Sequence, residues 1–496
     1  MKRMQTVSQP ILLSCFIIAL LFACTSSTDN NAAIPVTTES EEARRLFARA
    51  RDAYDVGRID DARLLLDQAI GLDSTFALAY FYRARTATTT SSWKTFADQA
   101  EQHAKSASEG ERLLISMMIA EMEGAVPERR MLARRLVDRY PRSPRALYEY
   151  AIVLDADKRT YEARSTLEEA LYLNGFFAPA LRGLASSYLF NEPRSLHEAL
   201  RYAQHYVTLY PSEAEAHIVL GDVYRADQQL ENARGEYTRA MLLDRTSYLA
   251  YVKRGHALTF IGLYNDARKD FELAVDYGRG PAKALSANYR TFTWLYEGNV
   301  TEALHENEAL LHSLPLLGYD AEVDFQIFAD IWFNRVLMAL EARQFDVAEK
   351  AHEAYTRYAR AVAEEIGTAS NTSITESEIA LLAGRIALQR GNLQEAHGHT
   401  VRSIDFLRNV RDARKREPTE LLLGRIALAK QRYVSALEHL DEAVPDLIQV
   451  TYYRALALDG LDRKEEAQEL YYEVANWNFN NIEYALIRNK AFNALR

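Results

Sequence analysis

Between Ala214 and Asp276 the chain repeats one pattern 34 residues out of phase, and that period constrains the fold more than any other feature. One copy, HIVLGDVYRADQQLENARGEYTRAMLLD, begins at His217, and the other, YVKRGHALTFIGLYNDARKDFELAVD, at Tyr251. Each has a glycine (Gly221, Gly255), an alanine twelve residues later (Ala233, Ala267), an aromatic four on (Tyr237, Phe271) and an alanine three beyond that (Ala240, Ala274). Alanine, aromatic and alanine fall at i, i+4 and i+7, so they form one stripe of a helix where a second helix can approach closely. A single helix pair cannot bury such a stripe, so the repeat predicts a stacked array.

With only 12 Pro and 20 Gly in 496 residues, and no strand-like segments bounded by turn glycines, the class is all-α. The 34-residue period with these four offsets resembles the tetratricopeptide repeat. The resemblance implies an α-solenoid: a right-handed superhelix of antiparallel helix pairs, closed by a C-terminal capping helix. The small residue that opens each second helix recurs at Ala62, Ala97, Ala163, Ala199, Ala233, Ala267, Ala303, Ala348, Ala396 and Ala467. In the third pair Arg129 takes its place, which predicts a distorted repeat there. The sum is about eleven or twelve pairs from Glu41 to Asn476.

Spacing divides the array. Intervals from Ala163 to Ala303 run 36, 34, 34 and 36, then stretch to 45 and 48. Residues 41–317 therefore read as an N-terminal array and 318–373 as an elongated, irregular helical pair ending in the polar linker GTASNTS. That elbow is acidic, with 12 Asp and Glu against 5 Lys and Arg between Asp320 and Glu378. Residues 374–476 resume the repeat: LLAGRIALQRGNLQEA from Leu381 and LLLGRIALAKQRYVSA from Leu421 echo each other 40 residues apart. Residues 477–496 read as a cap, with Ile482, Ala485, Leu486, Phe492 and Leu495 inward and Glu483, Arg488, Lys490 and Asn493 outward.

Residues 1–23 look like a leader: Lys2 and Arg3 precede the apolar run Ile11–Ala23, too short for a comfortable membrane span. Leu21-Phe22-Ala23-Cys24 resembles a bacterial lipobox, which implies cleavage before Cys24 and lipidation of that cysteine. A secretory signal cut nearby, or an uncleaved anchor, also fits this leader. Cys15 would leave with the leader, so the mature chain would have no disulfide. Residues 24–40 read as a flexible tether of roughly 20 Å. Thr25, in place of the aspartate that retains enteric lipoproteins at the inner membrane, implies an outer-membrane lipoprotein of the bacterial cell envelope, facing the periplasm.

The residue types of a reactive centre do not converge. His197-Glu198 and His352-Glu353 begin like a zinc-protease helix, but Arg201 and Thr356 stand where the second histidine belongs. There is no phosphate-binding glycine loop ending in Lys-Ser or Lys-Thr and no G-x-S-x-G, so the expectation is no enzyme, no cofactor and no metal. A net charge of −10 argues against nucleic acid as a partner.

A binding surface remains. In the family resembled here the first helix of each pair lines the concave side, exposing positions three before, one after and four after the small residue. Carried over, these are Tyr148, Ile152 and Asp155; Leu184, Tyr188 and Asn191; Ile218, Asp222 and Arg225; and Val252, His256 and Thr259. Aromatic, apolar and mixed-charge groups suit a protein or peptide groove. An arginine-rich run from Arg129 to Arg145 reads best as a solvated outer face. The expected function is a non-enzymatic, lipid-anchored scaffold. The alternative is a solute- or glycan-capturing lipoprotein that partners an outer-membrane transporter.

Overall fold

The computed structural model describes residues 33–322, 324–443 and 447–496. Leader, Cys24 and the first part of the tether lie outside the described residues. Among the described residues there are helices and no strands.

Twelve antiparallel pairs follow one another. They are α1 (Glu41–Asp55) with α2 (Ile59–Leu72), α3 (Ala77–Arg85) with α4 (Thr90–His103), α5 (Glu109–Met122) with α6 (Val126–Arg139), and α7 (Pro144–Ala156) with α8 (Thr160–Leu173). Next come α9 (Ala178–Phe190) with α10 (Leu196–Leu209), α11 (Ala214–Ala226) with α12 (Leu230–Leu243), α13 (Tyr248–Ile261) with α14 (Tyr264–Tyr277), and α15 (Pro281–Tyr296) with α16 (Val300–Ser313). The last four are α17 (Phe325–Glu341) with α18 (Phe345–Ile366), α19 (Ala369–Gln389) with α20 (Leu393–Phe406), α21 (Glu417–Ala429) with α22 (Tyr433–Asp441), and α23 (Ile448–Gly460) with α24 (Lys464–Ala475). A single helix, α25 (Ile482–Ala494), completes the chain.

Ring and glycine meet inside each repeat of the motif. A Cβ on Gly221 would stand 2.5 Å from Tyr237 Cε1, and one on Gly255 would stand 2.8 Å from Phe271 Cε1. Gly424 faces Leu440 in the same way, at 2.8 Å. The alanine stripes beside them are fully buried: Ala233, Ala240, Ala267 and Ala274 have no exposed surface. The first helix of each pair therefore lies directly on the large side chain of the second.

Several expectations are corrected. The third pair is regular: Ala133 and Leu136 fill the buried stripe of α6, and Arg129 turns outward to Glu121 at 3.2 Å. The reason is a swap of small and large residues along the stripe, which preserves its volume. Residues 33–40, expected as part of an open tether, are docked on α5. Ile34 is buried, Thr37 N–H donates to Glu111 Oε1 at 2.9 Å, and Ser108 Oγ donates to the Pro35 carbonyl at 3.0 Å.

The elbow holds the two long helices α17 and α18, but GTASNTS is not an open linker. Gly367, at φ +74, ends α18, and Thr368 caps α19 by accepting from Asn371 N–H. Asn371 Nδ2 then donates to the Met122 carbonyl at 3.1 Å, tying this turn to α5.

The array also curls back on itself. Arg58 of pair one approaches Glu213 beside pair six at 3.6 Å, α4 of pair two packs on α18 of pair nine, Asn371 of pair ten meets pair three, and Arg194 beside pair five bonds Glu473 of pair twelve at 3.2 Å. Each pair thus meets another five to seven pairs on. The superhelix is tight enough for its ends to close over its middle.

Two glycine substitutions separate packing from propensity. Gly255→Ala should lower the midpoint of thermal unfolding, because overpacking costs about 1–3 kcal/mol and exceeds the helix-propensity gain of about 1 kcal/mol. Gly235→Ala, in α12 with nothing within 4 Å of the new methyl, should raise it. Circular-dichroism melts of the two variants check both signs.

Candidate partner-binding surface

The first helices α7, α9, α11 and α13 carry the twelve positions expected on the concave side, and the structure sorts them into two groups. Tyr148, Ile152, Asp155, Tyr188, Asn191 and Asp222 are half-buried. Leu184, Ile218, Arg225, Val252, His256 and Thr259 are buried, so no partner can touch them in this conformation. Leu184, Ile218 and Val252 lie in clusters between neighbouring repeats, where the position three before the small residue packs into the core. Thr259 spends its hydroxyl on the Gly255 carbonyl at 2.8 Å.

Arg225 and His256 belong to a buried polar network. Asp222 accepts from Tyr237 Oη at 2.7 Å, from Arg225 Nη2 at 2.9 Å and from Lys253 Nζ at 2.7 Å. Arg225 Nη1 lies 3.0 Å from His256 Nδ1. Because an arginine only donates, Nδ1 accepts and the imidazole proton sits on Nε2. Burial, with Arg225 and Lys253 adding to it, holds the His256 pKa well below its usual range. Burial pushes Asp222 up, but Lys253 and Arg225 outweigh it and hold the carboxyl below its ordinary value.

What covers this network is the chain's own C terminus. Residues 477–481 form the non-helical turn between α24 and α25, with Asn478 at φ +57, and Phe479 sits edge-on to Phe190 at 4.9 Å with the Arg225 guanidinium 4.4 Å from its ring. Arg194 lies over Trp477 at 5.1 Å, and Tyr296 Oη donates to Asn480 Oδ1 at 2.9 Å. Helix α25 then lies on α15, α17, α23 and α24. It is not the solvent-facing cap expected. Glu483, expected outward, pairs with Arg385 at 2.6 Å, and Arg488, also expected outward, is buried against the Phe260 and Phe492 rings. The reason is that both faces of α25 meet protein inside the curl.

Six positions stay half-exposed, on α7, on α9 and just after it, and on α11, and of these Asp222 belongs to the covered network. Asn191 Nδ2 donates to both Asp155 carboxylate oxygens at 2.7 and 2.6 Å, linking α7 to the end of α9. Tyr188 stacks on Tyr202 at 5.9 Å, with Arg164 at 4.0 Å from its ring. The arginine-rich run is neutralised: Arg130 pairs with Asp157, Arg134 with Asp138, and Arg135 and Arg139 with Glu109. Among the described residues no group of three or more His, Cys, Asp or Glu is placed to hold a metal ion, and no helix is long and apolar enough to cross a membrane.

Polar positions in the C-terminal half escaped the sequence reading. Arg385 and Arg425 each follow the small residue by one, after Gly384 and Gly424, at the offset that marks Ile152, Tyr188, Asp222 and His256. Extending the same offsets to the LLAGRIAL and LLLGRIAL segments finds them.

Comparison with known proteins finds the repeat in one part of the chain. Residues 47–111 match the tetratricopeptide repeat family model. The stretch spans α1 to the start of α5, so the motif is carried by the array's own first pairs. Among solved structures, MamA residues 41 to the end from Desulfovibrio magneticus RS-1 is 18% identical, covering 34% of this chain and 96% of that one, with a TM-score of 0.29. A thermophilic tetratricopeptide protein of Thermus thermophilus, TTC0263, is 21% identical over 35% of this chain and 92% of its own, with a TM-score of 0.30. PilF of Pseudomonas aeruginosa is 17% identical over 43% and 94%, with a TM-score of 0.33. No curated protein matches the chain. Such repeats generally serve as non-enzymatic protein-interaction scaffolds.

The buried imidazole sets a pH dependence in the array. A histidine whose folded pKa is depressed stays neutral while the unfolded chain takes up a proton below about pH 6.5, so its contribution is present above that value and is lost as pH falls. The loss falls between pH 7 and pH 5, the interval that brackets the unfolded-chain value. His256→Gln should therefore lose less stability than the parent over that interval, measured by urea unfolding at the two pH values.

Proposed function

We propose that the chain is a non-enzymatic scaffold, lipid-anchored through Cys24 in the bacterial cell envelope, that binds an extended segment of a protein partner on its concave face. One observation carries the binding half of this reading. The inner face already holds a non-helical segment, its own residues 477–481, through an aromatic ring, an arginine and a tyrosine hydroxyl. Sites for an apolar ring beside a charged or polar group are what peptide grooves use for affinity and register. The half-exposed Tyr148, Asp155 and Tyr188 are the further positions this reading assigns to a second chain.

The anchoring half rests on the lipobox-like Leu21-Phe22-Ala23-Cys24 and on the polar stretch after it. Outer-membrane placement facing the periplasm follows from Thr25. An anchored array would act through reach and a preformed surface, with no bond made or broken.

Two arms test the proposal. Growth with an alkyne fatty acid should label the parent chain and leave Cys24→Ala unlabelled; equal labelling would remove the anchor from the account. Crosslinking in intact cells, followed by mass spectrometry, should recover an envelope protein with the parent. Tyr148→Ala combined with Tyr188→Ala should reduce that recovery at least tenfold, with the unfolding midpoint as a control for folding. Undiminished recovery from the folded double variant would refute the surface assignment.

A further inference from the structure

A second site lies in the C-terminal half of the array, away from residues 477–481 and their seat. A cavity of about 440 Å³ opens between the first helices α17, α19 and α21, closed on its other sides by α18, Leu447, Gln449 and α25. Its size is that of a small-ligand pocket. Its walls are apolar, set by Phe333, Tyr355, Leu381, Leu382, Leu421 and Leu422. Two arginines reach it, at the same offset in consecutive repeats. Arg385 is charge-paired, its two terminal nitrogens on Glu483 at 2.6 and 3.1 Å and its buried Nε without a partner.

Arg425 is not. Only 7% of its surface is exposed, it lines the cavity, and among the described residues it has neither a hydrogen bond nor an ion pair. Its one neighbour of note is the Tyr453 ring, at 4.7 Å. A buried guanidinium without a directly bonded counter-charge is costlier than a paired one, and the nearby Glu483 carboxylate is already bonded to a second cation, Arg385. Burial and that neighbour together hold the Arg425 pKa below its ordinary value. Beside it Gln449 Oε1 is buried without a donor. Asp330 and Glu378 stand at the wetted rim of the same cavity, where a second negative charge on a ligand would be repelled.

We infer that this cavity binds a monocarboxylate with an apolar body, its carboxylate on Arg425, its chain along the leucine wall and its far end at the acidic rim. The site is independent of the partner surface, and the two readings can fail separately.

Thermal shift and titration calorimetry on the full chain at pH 7 test the assignment, with decanoate held below its micelle concentration. Decanoate should raise the unfolding midpoint and bind at least tenfold tighter than decanol or decylamine. Arg425→Met should bind decanoate at least tenfold more weakly while melting, without ligand, no lower than the parent, because an unpaired buried cation has been removed. If that variant folds poorly, Arg425→Lys offers the same comparison with charge kept and the two-pronged geometry lost. Acetyl-Leu-Leu, free acid against amide, distinguishes a peptide end from a free fatty acid as the source of the carboxylate. No binding by any carboxylate, equal binding of decanoate and decanol, or undiminished affinity in Arg425→Met would overturn the inference. Sebacate binding as tightly as decanoate would overturn its restriction to monocarboxylates.

Discussion

A ring packed on a position without a side chain is the contact on which the rest of the array depends. Tyr237 lies where a Cβ on Gly221 would be, and Phe271 lies where one on Gly255 would be. That approach fixes the distance within each pair, and the buried alanines beside it fix the next pair against the first. Repetition turns one local geometry into a superhelix, since each pair packs on its sequence neighbours and adds the same small rotation. Closure of the superhelix then follows from the number of pairs. With twelve of them, the chain returns to meet itself five to seven pairs on, through Arg58 with Glu213, Arg194 with Glu473 and Asn371 with the end of α5.

Closure changes what a concave face can do. In an open array the positions one and four after the small residue would face solvent. Here Arg225 lies under Phe479, and its charge is spent on Asp222 and His256 within the protein. The same closure makes the C-terminal segment part of the binding architecture. Phe479, Trp477 and Asn480 occupy places that the inner face offers to an aromatic and an amide. Farther along, closure by α25 pairs Arg385 with Glu483 and leaves Arg425 without a directly bonded counter-charge in its cavity.

The period and the offsets are legible in the sequence because they report contacts inside one repeat. Gly221 with Tyr237 and Gly255 with Phe271 are sixteen residues apart, within reach of a helix-pair pattern. The two long helices of the elbow are legible for the same reason. Contacts between turns leave no such trace. Arg488 and Glu483 read as outward because α25 on its own has the pattern of a helix with one buried face, and nothing local says that a second wall lies 228 residues away at Phe260. Polarity misleads at 367–373, where a capping threonine and a helix read as a linker, and at 33–40, where two apolar residues in a polar stretch are enough to dock it. Of the twelve concave positions six stay half-exposed, Asp222 among them within the covered network, and the six others go to the core for one of two reasons: packing between repeats, or cover by the C-terminal segment. Carrying the same offset two repeats further finds the buried Arg425.

The central claim is that the array closes on itself, placing its C-terminal end over the inner face of its middle pairs. Gln228 and Tyr472, 244 residues apart in the chain, touch in this arrangement, Nε2 to Oη at 3.4 Å, and both are exposed. Cysteines at these two positions, in a chain with Cys15 and Cys24 replaced by serine, should be joined within one molecule by a short bismaleimide, seen as a faster-migrating monomer. Crosslinking only between molecules, or none, would show an open solenoid and contradict the account.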